Sequence, residues 1–159
     1  MLLRALLAFL ALPGVVAFAV PLLVAHKLQA PLRLGFLAVV LLSCGLACLV
    51  WCVWAFYSAG RGTLAPWSPP RQLVTHGLYR YSRNPMYWGV LLLLVGWAVL
   101  FESNTLGWYA AVVAVAFHLR VVFGEEPWLA QVHGQEWQNY KGKVNRWVGR
   151  RRRPRHSDA

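Results

Sequence analysis

Two short polar clusters interrupt a strongly apolar chain. The sequence Asn-Pro-Met-Tyr at 84–87 opens one apolar run, and Glu125 and Glu126 close the next. A helix start leaves backbone N–H groups free and carries the positive end of the helix dipole, so the first cluster can bind an anion. Two carboxylates at a helix end are unfavourable without compensation. They either pair with nearby arginines (Arg80, Arg83, Arg120) or bind a cationic or hydroxyl-bearing ligand.

His118 is the third candidate for chemistry. It precedes Glu125 by seven residues, which in an α-helix is nearly the same face, about 10 Å away along the axis. An ionisable side chain inside a membrane span is a functional candidate. We interpret His118 either as a base or orienting group, or as a hydrogen-bonded structural residue.

The elements that position these residues are predicted to be membrane helices. Only 13% of the 159 residues are charged and 58% are hydrophobic, whereas a soluble domain carries about a quarter charged residues. Apolar runs predict four spans, at 2–24, 34–57, 85–101 and 106–123. The first run can alternatively be read as a signal peptide with Ala17-Phe18-Ala19 as its cleavage site. Because the run continues to Ala25, we favour a retained span.

The charge distribution predicts the orientation. The chain has 16 Lys and Arg against 5 acidic residues, for a net charge of +11. With four spans, all Lys and Arg except Lys27 and Arg33 lie on one side, which the positive-inside rule assigns to the cytosol. The basic residues after Trp147 favour anionic lipid headgroups over nucleic acid as a partner, because no folded reader domain is left over. An Ala-, Leu- and Arg-rich composition suggests the bacterial cytoplasmic membrane.

Three cysteines, Cys44, Cys48 and Cys52, recur every fourth residue within the second apolar run. They share one helix stripe, where disulfide geometry is unfavourable. We interpret them as packing residues and expect no metal site.

The predicted fold is therefore an all-α integral membrane protein. It has four transmembrane helices, the last two forming a helical hairpin, and a C-terminal interfacial helix at 125–140 that Trp128, Leu129, Val132 and Trp137 anchor. We divide the chain into two N-terminal helices (1–57), a core of connection, hairpin and tail helix (58–148), and a basic tail (149–159).

The motif RQLVTHGLYRYSRNPMYWG at 71–89, followed by a hairpin and GEEPWL at 124–129, resembles the isoprenylcysteine carboxyl methyltransferase family. It is also similar to phosphatidylethanolamine N-methyltransferase, with its NPMYWG-type segment and EEP motif. The resemblance covers about residues 60–147 and ends in a tail similar to the family's GEEYxxYxxxVPRW pattern. It implies an integral membrane methyltransferase that uses S-adenosylmethionine, whose ammonium, ribose hydroxyls and sulfonium a carboxylate can complement.

Carried over by motif, the resemblance implies the cofactor contacts Gln72, Leu73, Val74, Tyr79, Asn84, Pro85, Met86, Tyr87 and Glu125. Asn84 is also expected to cap the helix that Pro85 begins. The carboxyl methyltransferases have His at the position of Asn84, while the phospholipid enzymes have Asn. They also have a substrate-linked Arg four residues before the first Glu, where this chain has Val121; Arg120 is adjacent but on a different α-helical face.

Three functions follow from these patterns. The first is S-adenosylmethionine-dependent methylation of a lipid-like carboxylate, thiol or other small group, with isoprenylcysteine-type carboxyl methylation as one form. The second is phospholipid-type amine methylation, for which a base is required, with His118 and Glu126 as the candidate catalytic residues. The third is a non-catalytic small membrane protein. For both enzymatic functions we expect an amphiphilic acceptor that enters the site from the membrane lipids.

Overall fold

The computed structural model describes residues 10–60 and 73–150. Regular structure in these residues is helical, apart from one isolated antiparallel bridge between Val144 and Arg150. The elements are a π-helical stretch Leu10–Ala19, α1 Val20–Lys27, α2 Phe36–Gly60, a 3-10 turn Gly77–Arg80, α3 Pro85–Leu100, α4 Asn104–Arg120, a π-helical turn Val121–Glu125 and α5 Glu126–Lys143. The all-α prediction is confirmed for the described part of the chain.

Two of these described helical stretches are long and apolar enough to cross a membrane. One is Phe36–Ala55 within α2, and the other is the continuous stretch Asn104–Lys143. The stretches Pro13–Lys27 and Pro85–Leu100 are apolar but shorter. The structure therefore supports a helical membrane protein, and the count of four spans stays a prediction.

Glycines bring α2 and α3 into close contact. A Cβ atom added at Gly45 would lie 2.9 Å from the carbonyl oxygen of Gly89, and one at Gly96 would lie 2.9 Å from the Leu42 side chain. Small residues of this kind let two membrane helices approach until their backbones touch. The start of α3 is held in the same interface, because the Cys48 thiol donates to the Pro85 carbonyl oxygen at 3.3 Å.

The N-terminal helical segment packs on the hairpin through two hydrogen bonds to its backbone carbonyl groups near Pro21. Pro21 has no N–H, so one carbonyl group about one turn earlier loses a helical hydrogen bond. The indole of Trp97 donates to the Ala17 carbonyl oxygen at 2.8 Å, and the Tyr109 hydroxyl donates to that of Val16 at 3.1 Å. These two bonds satisfy groups that lipid could not solvate.

The hairpin turn is as short as the sequence predicts. Helix α3 ends at Leu100 and α4 begins at Asn104, where the Ser103 hydroxyl accepts from the Leu106 N–H at 3.4 Å. An exposed ion pair between Arg33 and Glu102, 3.3 Å apart, lies at this end. The start of α3 and the end of α4 consequently return to the opposite, polar end of the hairpin.

The predicted C-terminal helix is found, but it is kinked and one of its predicted anchors is wrong. Gly134 has φ +47° and ψ −117°, so α5 consists of two helical pieces. Beyond the kink Trp137 is only 2% exposed and packs in a core cluster with Tyr140, Val144 and Leu73. Trp137 thus anchors the tail helix to the protein rather than to a membrane surface.

Candidate active site at the polar end of the hairpin

Three segments of the chain meet at the polar end: the connection before α3, the end of α4 and the tail after α5. The Tyr140 hydroxyl donates to the Tyr79 carbonyl oxygen at 2.8 Å. The Gly149 N–H donates to the carbonyl oxygen of Tyr81 at 2.7 Å, and the Arg83 N–H donates to that of Asn145 at 3.1 Å. Because most of these bonds use backbone atoms, they fix the tail across the connection largely independently of side-chain identity.

Glu126 lies between two guanidinium groups, which we call the locked half of the site (Arg83, Glu126, Arg146). Arg83 Nη1 is 2.9 Å from Glu126 Oε1. Arg146 binds in a bidentate manner, with Nε 2.7 Å from Oε1 and Nη2 3.0 Å from Oε2. The side chains of Arg83 and Glu126 are 4% and 9% exposed, and Arg83 also lies over the Trp137 ring at 5.5 Å. Both carboxylate oxygens of Glu126 are therefore engaged inside the protein.

The electrostatics of this half follow from its partners. Burial alone would raise the pKa of Glu126, but the hydrogen bonds from Arg146 and the charge of Arg83 outweigh burial and hold that pKa below its ordinary value. A carboxylate kept ionised and fully paired is a poor proton acceptor. The geometry thus favours an organising role for Glu126 over the catalytic role expected from the sequence.

Asn84 does not cap α3, so that prediction is wrong. Its side-chain amide donates instead to the Arg146 carbonyl oxygen at 3.1 Å, and its backbone N–H donates to the Ser82 hydroxyl oxygen at 3.1 Å. Because the tail crosses the connection at Asn84, the Asn84 amide binds to the tail instead of to the first turn of α3. The start of α3 is left without a side-chain cap, so first-turn N–H groups remain for a ligand.

Tyr87 and Glu125 come together, which confirms the predicted juxtaposition of the two polar clusters. The Tyr87 hydroxyl donates to Glu125 Oε1, and Arg120 Nε donates to the same oxygen at 3.0 Å. Tyr87 is buried and its ring packs on that of Phe117, with the centroids 4.3 Å apart. The side chains of Arg120 and Glu125 are 48% and 33% exposed. We call Tyr87, Arg120 and Glu125 the open half of the site.

The π-helical turn at 121–125 explains why Arg120 reaches Glu125. The two residues are five apart, and a π-helical turn aligns residues at that spacing whereas an α-helix does not. The expectation that Arg120 lies on a different helix face is therefore wrong. The same turn removes the α-helical register on which the predicted alignment of His118 with Glu125 depended.

His118 is engaged with the tail. Its Nδ1 accepts a hydrogen bond from the Trp147 indole at 3.3 Å, and the two rings stack with their centroids 6.0 Å apart. The Trp147 carbonyl oxygen in turn accepts from the Trp88 indole at 3.0 Å. The indole N–H therefore engages the Nδ1 lone pair of His118. Of the two predicted roles, this arrangement favours the orienting one.

The remaining predicted cofactor contacts lie in packed clusters. Leu73 packs in the Trp137 cluster, Val74 and Tyr79 are buried with Cys52, and Met86 packs beside both Cys52 and the hairpin core. Gln72 lies outside the described residues. The contact of all these residues with a cofactor stays a prediction.

The connection also depends on a glycine. Gly77 has φ +58°, and a Cβ atom there would overlap the ring of Trp51.

Helix α2 carries an open apolar groove that contains none of the predicted site residues. The groove is lined by Ser43, Leu46, Ala47, Val50, Trp51 and Trp54. Within the described residues, no group of three or more His, Cys, Asp or Glu could hold a metal ion.

The sequence patterns did not lead to a prediction of Arg146 as a site residue, although a signal for it was present. It lies in the Asn-Arg-Trp segment at 145–147 that aligns with the end of the family's tail pattern. The chain has only 5 acidic residues for 16 Lys and Arg. A buried acid is therefore expected to attract more than one guanidinium group. The partner of Glu126 could have been sought there.

The chain is similar in sequence to a protein family and to individual known proteins. The family model described as phospholipid methyltransferase matches residues 34–136, more than half of the chain. Probable protein-S-isoprenylcysteine O-methyltransferases of Oryza sativa subsp. indica and subsp. japonica are 37% identical over 75 residues, covering 46% of this chain and 39% of each relative. An uncharacterized protein of Haemophilus influenzae is 33% identical over 64 residues, covering 40% of this chain and 100% of that protein. The chain thus spans well under half the length of its rice relatives, and no solved structure matches it.

Proposed function

The chain belongs to the phospholipid methyltransferase family, and from that premise we propose that it transfers a methyl group from S-adenosylmethionine to an amphiphilic, lipid-like acceptor. Isoprenylcysteine-type carboxyl methylation is one form of this reaction. The observation that carries the proposal is the contact of Tyr87 with Glu125 beside the uncapped start of α3. This contact supports the proposal because a carboxylate can bind a cation and backbone N–H groups at a helix start can bind an anion.

The donor set fits S-adenosylmethionine. The part-exposed carboxylate of Glu125 suits its ammonium or ribose hydroxyls, and the free N–H groups at the start of α3 suit its methionine carboxylate. When bound, the cofactor supplies a methyl group activated by a positively charged sulfur. The nearby Asn84, Pro85 and Met86 would shape the wall of this site, and contacts of Gln72, Leu73, Val74 and Tyr79 with the cofactor are part of the proposal.

The protein's contribution is positioning and the exclusion of water. Holding two reactants in line can supply about 7–11 kcal/mol of the barrier reduction. The locked half fits this role, because Glu126 ties the connection to the tail through Arg83 and Arg146. In this proposal Glu126 positions the site, and His118 orients the tail through Trp147.

The membrane arrangement is part of the proposal. The four predicted helices would cross the bacterial cytoplasmic membrane, with α5 at the interface and the polar end of the hairpin at the cytosolic face. The acceptor would enter sideways from the membrane lipids. The divisions 1–57, 58–148 and 149–159 would then be helices that embed the core, the core itself and a basic tail.

Two alternatives keep specific support. Amine methylation of a phospholipid is favoured by the NPMYWG segment and by the description of the matching family. It needs a base, and the hydrogen bond from Trp147 to His118 Nδ1 argues against that residue in the role. A non-catalytic role is consistent with the extensive tail contacts. It does not explain the uncapped start of α3 or the π-helical turn.

The experiment that tests the proposal is product analysis. The purified protein in lipid nanodiscs is incubated with S-adenosylmethionine labelled in its methyl group and with membrane lipid extract. A base-labile labelled ester supports carboxyl methylation, a labelled amine headgroup supports the alternative, and no saturable binding of the labelled cofactor refutes both. The variant Glu125→Ala, which should retain the fold and lose the label transfer, is the matched control.

A further inference from the structure

The tail after α5 folds into a short loop that carries Trp147 near its tip. The antiparallel bridge between Val144 and Arg150 closes the loop. Inside it, the Asn145 N–H donates to the Gly149 carbonyl oxygen at 2.9 Å. Because these bonds do not use the Trp147 indole, the indole can move while the loop keeps its shape.

The Trp147 indole lies across the exposed flank of the hairpin, between α3 and α4. It meets the Trp88 ring edge-to-face, with the centroids 6.2 Å apart, and it bonds to His118. Trp88 and His118 are both exposed, and they directly follow Tyr87 and Phe117, whose rings pack on each other. The indole therefore lies on the outer side of the open half of the site.

One side-chain hydrogen bond holds the indole against α4. It joins Trp147 Nε1 to His118 Nδ1 at 3.3 Å, longer than the usual range of about 2.7–3.2 Å. A bond of this kind changes an equilibrium by about 2- to 10-fold. The backbone of Trp147 is held separately, because its carbonyl oxygen accepts from the Trp88 indole at 3.0 Å. Loss of the bond to His118 would free the indole and leave the chain in place.

Resting on the proposed function, we propose that the Trp147 indole is a gate on the path by which the acceptor enters, and that His118 is the latch of this gate. Rotation of the indole away from His118 uncovers the flank beside Tyr87 and admits the headgroup of an amphiphile from the membrane lipids. When only a fraction of the molecules is open, the apparent affinity for the acceptor is reduced by that fraction. His118 is thus a positioning residue that controls access.

The latch requires a neutral imidazole. Histidine is the side chain that changes its charge between about pH 5 and pH 8, and an imidazolium carries an N–H on both ring nitrogens. Two N–H groups would then face each other at His118 Nδ1. The indole would also meet the cation with the positive edge of its ring system and not with its negative face. Protonation of His118 therefore opens the gate.

The other charged and titratable groups at this end are engaged elsewhere. Within the part of the chain that the structure describes, His118 hydrogen-bonds to Trp147 alone. The groups around them on α3, on α4, on the turn after α4, on the connection and at the start of α5 bond to one another, as does Arg146 on the tail: Tyr87, Arg120, Glu125, Arg83, Glu126 and Arg146. Arg150 at the base of the loop is exposed. The charge of His118 thus acts on the tail through Trp147.

The first test follows the gate itself and does not depend on catalysis. Protein labelled with fluorotryptophan is placed in nanodiscs, and Trp147→Phe identifies the fluorine resonance of Trp147. Between about pH 8 and pH 5 this resonance should shift along a one-proton curve. His118→Gln should abolish the shift, because the glutamine oxygen accepts from the indole at every pH.

The matched control is His133→Gln. His133 lies edge-on to Trp128, with the centroids 6.4 Å apart, so this variant also removes a histidine that touches a tryptophan. It should leave the pH-dependent shift of Trp147 unchanged. A Trp147 resonance that does not respond to pH, or that shifts equally in His118→Gln, overturns the inference.

The second test measures access during methyl transfer. Label transfer from S-adenosylmethionine is followed at low and at saturating contents of membrane lipid extract in the nanodiscs. Dividing the wild-type rate by that of His118→Gln removes the pH dependence of the reaction itself. At low content this ratio should rise by about 2- to 10-fold from about pH 8 to pH 6, and at saturating content it should not change with pH.

Two results of the second test would overturn the gate: a ratio that is independent of pH at low lipid content, and an equal rise at saturating content. The second of these would place the effect of His118 on the chemical step instead of on access. If wild type transfers no label at all, the proposed function fails, and the fluorine resonance of Trp147 still decides whether the gate exists.

Discussion

Glu125 and Glu126 are neighbours in sequence, yet they belong to two regions with opposite properties. In the locked half, Glu126 is buried and both of its oxygens are held by guanidinium groups. In the open half, Glu125 is part-exposed, and Tyr87 and Arg120 share one of its oxygens. Adjacent acids with different surroundings take different roles. One acid of the pair is therefore held inside the protein, and the other remains reachable by a ligand.

The largest expected effect is on stability, from Glu126→Gln. Removing one partner of a buried ion pair leaves uncompensated charge, here on Arg83, and costs about 3–5 kcal/mol. Chemical denaturation in detergent measures the loss. Glu125→Gln should cost less than about 1 kcal/mol in the same assay, because its ion pair is part-exposed. Equal losses for the two variants would erase the distinction between the halves.

Arg146→Lys should have the next largest effect. Lysine keeps the charge but cannot make two parallel bonds to Glu126, so we expect a loss of about 1–2 kcal/mol. The tail should also become more accessible, which limited proteolysis after residue 143 would reveal. Arg120→Lys in the open half provides the comparison, and a similar gain in cleavage there would contradict the locking role of Arg146.

Tyr87→Phe should act on binding rather than on stability. The ring still packs on Phe117, while Glu125 loses the hydroxyl that holds it. We expect cofactor affinity to fall by about 5-fold, the equivalent of one hydrogen bond, with a nearly unchanged melting temperature. A large drop in melting temperature would assign Tyr87 to the locked half instead.

The smallest and most gradual effect is expected from acid. The pKa of Glu126 is lower in the folded protein than its ordinary value of 4.5, so its stabilisation is present above that value and is lost as the pH falls through the lowered pKa. Melting temperatures measured between about pH 6 and pH 3 should fall more steeply for wild type than for Glu126→Gln. Parallel curves would show that Glu126 is not the group responsible.

The parts of the fold that the sequence predicted are those set by local patterns. Apolar runs and a short turn placed α3 and α4 within a few residues of their observed bounds, and the hairpin alone predicts that Tyr87 and Glu125 share one end. Proline at the start of α3 likewise marked its boundary. These features depend on neighbours in sequence.

The parts that were missed depend on the tail or on helix register. Asn84 is diverted from its cap by the Arg146 carbonyl group, some sixty residues away. Arg120 reaches Glu125 through a π-helical turn, and no pattern in the sequence marks the extra residue per turn. Tryptophan is a residue type typical of membrane anchors. Trp137, however, follows the kink at Gly134, and the chain beyond that kink packs into the core.

The most direct test of the central claim is the affinity of Glu125→Gln for S-adenosylmethionine, measured by titration calorimetry in nanodiscs. Glu102→Gln, which removes a carboxylate at the opposite end of the hairpin, is the matched control. We expect Glu125→Gln to bind the cofactor at least about 10-fold more weakly than wild type, while Glu102→Gln should bind as wild type does. Unchanged affinity in a folded Glu125→Gln protein would contradict the central claim.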